Sequence, residues 1–231
     1  CTEFTFMNHS FPVLPFKNEK LDAKIDCGVA TMWPTVKMLD DVRCIENKKY
    51  LVQNYEIDFY DFKDPRKVEA SVTYSYPFDY VTISKWCKEW LKSEFNQDAA
   101  WILNGIDIEQ YRPHKRELKD KIRILIEGDS SSAHKNVDEA FLVTNKLDSS
   151  KYEIWYMSYN AKPKDWYRVD KFLHRVPYEE VQKVYADCDI LLKTSLLESF
   201  SYPPIEMMAT GGYVVALFND GNKEYLEDGK N

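Results

Sequence analysis

Two glutamates, Glu198 and Glu206, stand eight residues apart in the stretch from Lys193 to Gly212. Ile190 to Ser195 is apolar enough for an interior parallel strand. Pro203 and Pro204 have φ fixed near helical values and fit only the first turn of a helix, so a helix begins there. Gly211 and Gly212 stop it. Glu198 therefore lies in the loop leaving the strand, and Glu206 in the first or second helical turn. Between them are the amides of Ser199, Phe200 and Ser201, beside a positive helix end. Loops at the carboxyl ends of parallel strands are where open α/β sheets bind ligands, and phosphate suits a helix N-terminus. The plainer alternative is a loop glutamate in water and a helix glutamate complementing the dipole by about 0.3–1 kcal/mol.

Lys135-Asn136 is a second place where chemistry could reside. It follows a strand ending at Gly128 and a serine-rich loop, Ser130 to Ser132. A lysine there is ordinarily a solvated charge, but it could reach a phosphate across a crevice through a bond of about 1.5–3 kcal/mol. In the first half of the chain, Trp33 and the pair Tyr55-Glu56 leave carboxyl strand ends and would face the same crevice. An aromatic ring there could stack on a flat ligand, or equally belong to the core.

These residues need a scaffold, and the chain alternates strands with helices. Strands are expected at Glu3–Met7, Ile25–Thr31, Lys49–Asn54, Tyr80–Ile83 and Ala100–Leu103. A second series follows at Ile122–Ile126, Tyr152–Met157, Phe172–Val176, Asp189–Thr194 and Tyr213–Leu217. Helices are expected around Val36–Val42, from Asp64-Pro65 to about Tyr74, after Ser84, from Val137, and from Tyr178 to Ala186. After Ser84, Trp86 and Cys87 pair with Trp90 and Leu91 at i+4, the spacing of one buried face. The polar stretch 105–120 reads as a connector. This pattern is α/β, with two Rossmann-like units facing across a cleft, each built on a parallel sheet. The expected division is a first unit over 1–104, the connector over 105–120, and a second unit over 121–231.

The phrase E-S-F-S-Y-P-P-I-E from Glu198 to Glu206, with its trailing glycines, resembles the signature of retaining glycosyltransferases of family 4, which have the GT-B fold. Trp101-Ile-Leu-Asn104-Gly105-Ile106-Asp107 resembles the hinge between the two domains of that family and stands in the corresponding place. Ala30-Thr-Met-Trp33-Pro34-Thr35 and Val52-Gln-Asn-Tyr55-Glu56 are similar to the bacterial rhamnosyltransferases of the family that make surface polysaccharides. The resemblance implies transfer of a sugar from a nucleotide-diphosphate donor, with retention and without a metal. Glu198 would contact the donor sugar near the reacting carbon, and Glu206 the ribose hydroxyls. Lys135, Asn136, Gly128 and the Ser199–Ser201 amides would hold the diphosphate, and Val176-Pro177-Tyr178 the base. Trp33, Tyr55 and Glu56 would serve the acceptor, a saccharide or lipid-linked saccharide. Asp129 stands where the family usually carries an arginine, which weakens the expected grip on the diphosphate. His174 and Arg175 are expected to be surface residues at a strand end. Two competing readings stay open: a GT-B sugar-nucleotide epimerase, and a catalytically silent GT-B scaffold domain. The family's N-terminal domain has earlier strands and a glycine-rich loop, and its C-terminal domain continues past the strand at Tyr213, so both units are expected to be partial.

Composition sets limits on this reading. The chain has 231 residues, 44% hydrophobic and 15% aromatic, which is enough for a large core. Its net charge of −7 argues against a general nucleic-acid binder, which needs a basic field. The five cysteines are scattered and show no paired spacing, so buried thiols in a reducing compartment are expected. No apolar run approaches a membrane span. A cytoplasmic protein is expected, associated with the membrane's inner face at most peripherally.

Overall fold

The computed structural model describes residues 24–117 and 119–231. The strand expected at Glu3–Met7 lies outside the described residues. The first sheet holds β1 (Ile25–Ala30), β2 (Ile45–Val52), β3 (Asp79–Thr82) and β4 (Ala99–Trp101), side by side in that order and all parallel. Helices α1 (Trp33–Asp40), α2 (Pro65–Thr73) and α3 (Lys85–Phe95) connect them. Asp64 caps α2 by accepting the Arg66 amide, ahead of a proline in the first turn. Cys87, Trp90 and Leu91 of α3 are buried with Tyr50, Val52, Tyr74 and Tyr80 in one core.

Strand β2 begins four residues before the expected start at Lys49, and its early residues are polar. Ile45 pairs with Ile25, and Glu46 meets Lys24 at 2.8 Å on the exposed lower edge, so charge rather than apolarity occupies that end. Helix α1 starts at Trp33, earlier than expected, because Pro34 sits inside its first turn.

The second sheet contains β5 (Ile122–Glu127), β6 (Tyr152–Ser158), β7 (Lys171–His174), β8 (Ile190–Lys193) and β9 (Tyr213–Ala216). Their order is β7-β6-β5-β8-β9, all parallel. Helices α4 (Val137–Thr144), α5 (Tyr178–Asp187) and α6 (Tyr202–Ala209) cover both faces. Alternation along β5 sends Ile124 and Ile126 toward Val137 and Phe141 of α4, and Leu125 toward Tyr185 of α5 and Met207 of α6. The strand order reverses between β5 and β8. Their carboxyl ends therefore open a crevice at a topological switch point, the usual place for a ligand in such sheets.

The connector is fastened to the second layer. Arg116 donates to the Cys188 carbonyl, to the Tyr185 carbonyl at 3.0 Å and to the Thr210 carbonyl at 3.4 Å. The amide of His114 also donates to Thr210 O at 3.2 Å. Contacts between the two layers include Glu224 on Lys85 and Phe59 stacked on His134, ring centres 5.6 Å apart. Cys87 and Cys188 are buried as expected, but Cys27 is exposed and Cys44 half-buried, and all four are free thiols. Among the described residues no helix is long and apolar enough to cross a membrane.

Candidate active site

The crevice at the β5/β8 switch point is a cavity of about 280 Å³. Its floor comes from the ends of the two strands. Ile126 pairs with Leu192, so Glu127 and Lys193, one residue further on, lie side by side. Lys193 is 2% exposed. Its ammonium donates to the Glu127 carboxylate, lies 3.3 Å from the Glu127 carbonyl, and approaches Glu198 Oε1 at 3.6 Å. Lys135 Nζ reaches the same Glu198 Oε1 at 2.8 Å. Four charged groups from four separate places in the chain thus form one network.

Glu198 is held there by the loop around it. Leu196 donates to the His134 carbonyl at 2.9 Å, and Asn219 Nδ2 to the Ser195 carbonyl at 3.1 Å. Gly221 packs so closely that a Cβ would lie 2.6 Å from Glu198 C and O and Phe200 N. Burial raises the Glu198 carboxyl, but Lys193 and Lys135 outweigh it and keep it below the ordinary glutamate value. For Lys193, burial opposes the charge, while Glu127 and Glu198 raise its pKa above the usual lysine value. Both groups therefore stay ionised.

Helix α6 presents its N-terminus to the same cavity. Ser201 adopts φ 65°, a left-handed conformation uncommon outside glycine, and is fixed by the Tyr225 hydroxyl donating to its carbonyl. The helix starts at Tyr202, one residue before the expected Pro203, because this turn at Ser201 already aligns the chain. The amides of Ser199, Phe200 and Ser201 donate to no protein acceptor among the described residues, and all three residues line the cavity. The helix ends as expected, with Gly212 N donating to Met207 O at 3.0 Å and Gly211 N to Met208 O at 2.9 Å.

Glu206 lines an adjoining cavity of about 320 Å³, and Tyr202 belongs to both. Around Glu206 stand Tyr111 from the connector and Tyr178 from the start of α5. Burial pushes the Glu206 carboxyl upward, opposed by the nearby hydroxyls of Tyr111 and Tyr185. The Tyr111 hydroxyl is buried and makes no hydrogen bond. This cavity therefore offers a carboxylate to a ligand, with the buried Tyr111 hydroxyl close to it.

The remaining expected residues divide between the site and the core. Gly128 takes φ 146°, and a Cβ there would sit 3.0 Å from Val137 Cγ2 and 4.0 Å from Lys193 Nζ. Asn136, also left-handed, accepts the Thr194 hydroxyl on its carbonyl at 2.8 Å and so tethers the Lys135 turn to β8. Asp129 is engaged locally by the amide and hydroxyl of Ser131.

Trp33, Tyr55 and Glu56 do not line either cavity. The Trp33 indole donates to Tyr60 at 2.8 Å, and its ring is buried. Tyr55 packs edge-on against Trp90 and donates to Glu94 at 2.6 Å. Glu56 Oε2 accepts the Trp33 amide at 2.7 Å and the Tyr50 hydroxyl at 2.8 Å. These three are engaged in the core of the first layer. Its contribution to the cavity wall is instead Gln53, Ile83 and Asn104.

Lys193, Glu127 and Tyr111 were not singled out from the sequence. A lysine closing an otherwise apolar strand was the available signal for Lys193.

Residues 168–231 match the family model described as Glycosyl transferases group 1. The chain is 26% identical over 148 residues to the O-antigen chain mannosyltransferase RfbU of Salmonella typhimurium, covering 58% of this chain and 40% of that protein. Its fold is similar to TarM, with a TM-score of 0.68 and 15% identity over 89% of this chain and 43% of TarM. It is also similar to an S. aureus TarM variant solved with fondaparinux, alpha-GlcNAc-glycerol and UDP, at a TM-score of 0.68 and 13% identity over 88% of this chain and 44% of that one. A pneumococcal O-GlcNAc transferase, GtfA, solved with UDP and GlcNAc, superposes with a TM-score of 0.51 and 12% identity over 84% of this chain and 42% of its own. The chain thus spans less than half the length of these proteins. Two parallel sheets joined by a connector, with these structural neighbours, make the architecture GT-B.

Proposed function

We propose that the chain carries the catalytic cleft of a retaining, family 4-type glycosyltransferase that moves a sugar from a nucleoside-diphosphate donor to a saccharide or lipid-linked saccharide acceptor. The observation carrying this reading is the cavity where Lys135 and Glu198 meet three unengaged amides at a helix N-terminus, beside a second cavity holding Glu206. In this reading the diphosphate takes the first cavity and the nucleoside the second. The family match over residues 168–231 includes both glutamates, and the TarM and GtfA structures were solved with UDP.

In this reading the donor occupies the second layer and the acceptor enters past Gln53 and Asn104 of the first. Glu206 and Tyr111 bind the ribose, Tyr178 stacks near the base, and the Ser199–Ser201 amides and Lys135 receive the diphosphate. When the bond from the sugar carbon to the diphosphate breaks, negative charge grows on the leaving group, and preorganised donors stabilise such developing charge. Positive charge grows on the sugar carbon, where the ionised Glu198 is the complementary group. Lysines and amides, rather than a metal, meet the donor's charge. Surface-polysaccharide synthesis at the cytoplasmic face of a membrane is the setting. A thymidine-diphosphate rhamnose donor is one specific form of the proposal, and a mannose donor, as the name of the Salmonella relative suggests, is the other.

Calorimetric titration with uridine, guanosine and thymidine diphosphates tests the reading. Saturable binding of at least one, lost in Glu206→Ala, is the expected result. Absence of binding by all three at millimolar concentration would overturn it.

A further inference from the structure

Lys193 and Lys135 share one carboxylate oxygen but differ in every other respect. An ammonium has three N–H donors. Lys193 donates to the Glu127 carboxylate and the Glu127 carbonyl and forms an ion pair with Glu198 Oε1 at 3.6 Å. Its side chain is 2% exposed, and it lies at the end of a central strand. Withdrawing it would leave the Glu127 and Glu198 carboxylates without their buried counterion. Lys135 makes one charged contact, to Glu198, and its side chain is 28% exposed on a short turn at the cavity rim. Withdrawing Lys135 leaves Glu198 still paired.

We propose that Lys193 is the permanent counterion of Glu198 and Lys135 its exchangeable one, so that an incoming diphosphate takes Lys135 from the carboxylate while Lys193 keeps Glu198 ionised. The inference rests on the nucleotide-sugar reading of the cavity. It adds Lys193 as a positioning residue and gives the Lys135–Glu198 pair the character of a bond broken on loading. The empty site then carries a built-in competitor: Glu198 occupies the cation that the diphosphate needs. Glu127 is what lets Lys193 stay behind, since it accepts both hydrogen bonds that Lys193 makes.

Titration of uridine and thymidine diphosphates into single and double variants tests this. Glu198→Gln removes the competing charge in an almost isosteric way and leaves Lys193 on Glu127. It is expected to bind the nucleotide roughly tenfold more tightly than the wild type. Lys193→Met makes Lys135 the sole partner of Glu198 and is expected to weaken binding by roughly tenfold. Adding Glu198→Gln to Lys193→Met is expected to restore affinity to at least the wild-type level. A merely structural role for Lys193 gives no such rescue. Unchanged or weaker binding by Glu198→Gln overturns the proposal even if Lys193→Met does not fold. Wild-type protein that binds neither nucleotide at millimolar concentration overturns the nucleotide reading itself, and this inference with it.

Discussion

The carboxylate of Glu224, in the second layer, caps helix α3 of the first, accepting the amide of Lys85 at 2.6 Å and that of Trp86 at 3.4 Å. A helix begins with four amides lacking an intrahelical partner. In α3 the Lys85 and Trp86 amides are satisfied by Glu224 and the Cys87 amide by Ser84 Oγ at 3.2 Å, and the Lys88 amide then makes the first intrahelical bond, to the Ser84 carbonyl. A cap ordinarily supplied from within one element is here divided between two sheets.

Glu224→Ala should therefore cost about 1 kcal/mol, the usual worth of a cap, and increase amide exchange at Lys85 and Trp86. The amide of Cys87, held by Ser84, should keep its protection. Hydrogen exchange followed by mass spectrometry reads both, and uniform protection across residues 85–87 would show that the inter-layer cap has no energetic weight.

Glu198→Ala removes the carboxylate proposed to face the sugar carbon while leaving the helix N-terminus intact. Transfer should fall by roughly a hundredfold or more, while nucleotide affinity rises, since the carboxylate competing for Lys135 is gone. Comparing turnover with calorimetric binding checks the split. Equal losses in both would assign Glu198 to ground-state binding.

Glu206 has its pKa raised by burial. Such a carboxyl holds its proton more tightly folded than unfolded, so its ionisation costs stability once the pH exceeds the unfolded value and climbs through the folded one. Glu206→Gln is always neutral. The unliganded variant should melt above the wild type at neutral pH, and the two should converge near pH 4, close to the ordinary glutamate value. Nucleotide affinity should drop by roughly tenfold to a hundredfold with the lost charged acceptor. Melting curves across that pH range, with and without nucleotide, measure both effects.

Gly221→Ala places a methyl 2.6 Å from backbone atoms of Glu198 and Phe200, which cannot yield as a flexible side chain would. A loss of about 1–3 kcal/mol is expected, as for overpacking elsewhere, together with reduced turnover because the Glu198 loop must move. Thermal unfolding and a steady-state assay at a temperature where the variant stays folded separate the two.

Glu56→Ala leaves the Trp33 amide and the Tyr50 hydroxyl without their acceptor in a buried setting. A destabilisation of about 2–3 kcal/mol is expected, with nucleotide affinity of the folded protein unchanged. Stability by urea titration and binding by calorimetry report these independently.

Much of this architecture was legible from the chain because parallel strands buried on both faces read as short apolar runs. The starts of α2 and α3 followed from Asp64-Pro65 and Ser84, whose side chains do accept the expected amides. The boundaries that moved did so for tertiary reasons. The polar beginning of β2 is stabilised by pairing with β1, which local composition does not reveal. The placement of Glu198 near Lys135 was foreseeable from the fold, since both leave carboxyl strand ends. Lys193 was not, because its partner Glu127 is 66 residues away and becomes adjacent only when β8 joins β5. Glu56 shows the converse. Its position after a strand pointed to the crevice, yet a nearby amide and hydroxyl draw it into the core.

The attachment of Arg116 to three carbonyls at the edge of the second layer bears on how a GT-B cleft could open. Because those bonds weld the later connector to the C-terminal ends of α5 and α6, any swing of one sheet against the other must pivot upstream, where Gly105 has open space around it. The chamber holding Glu206 and Tyr111 would then travel as one piece, like a drawer with its contents in place. Gln53 and Ile83 would retreat from the neighbouring cavity that Glu198 lines, widening it without disturbing the Glu206 chamber.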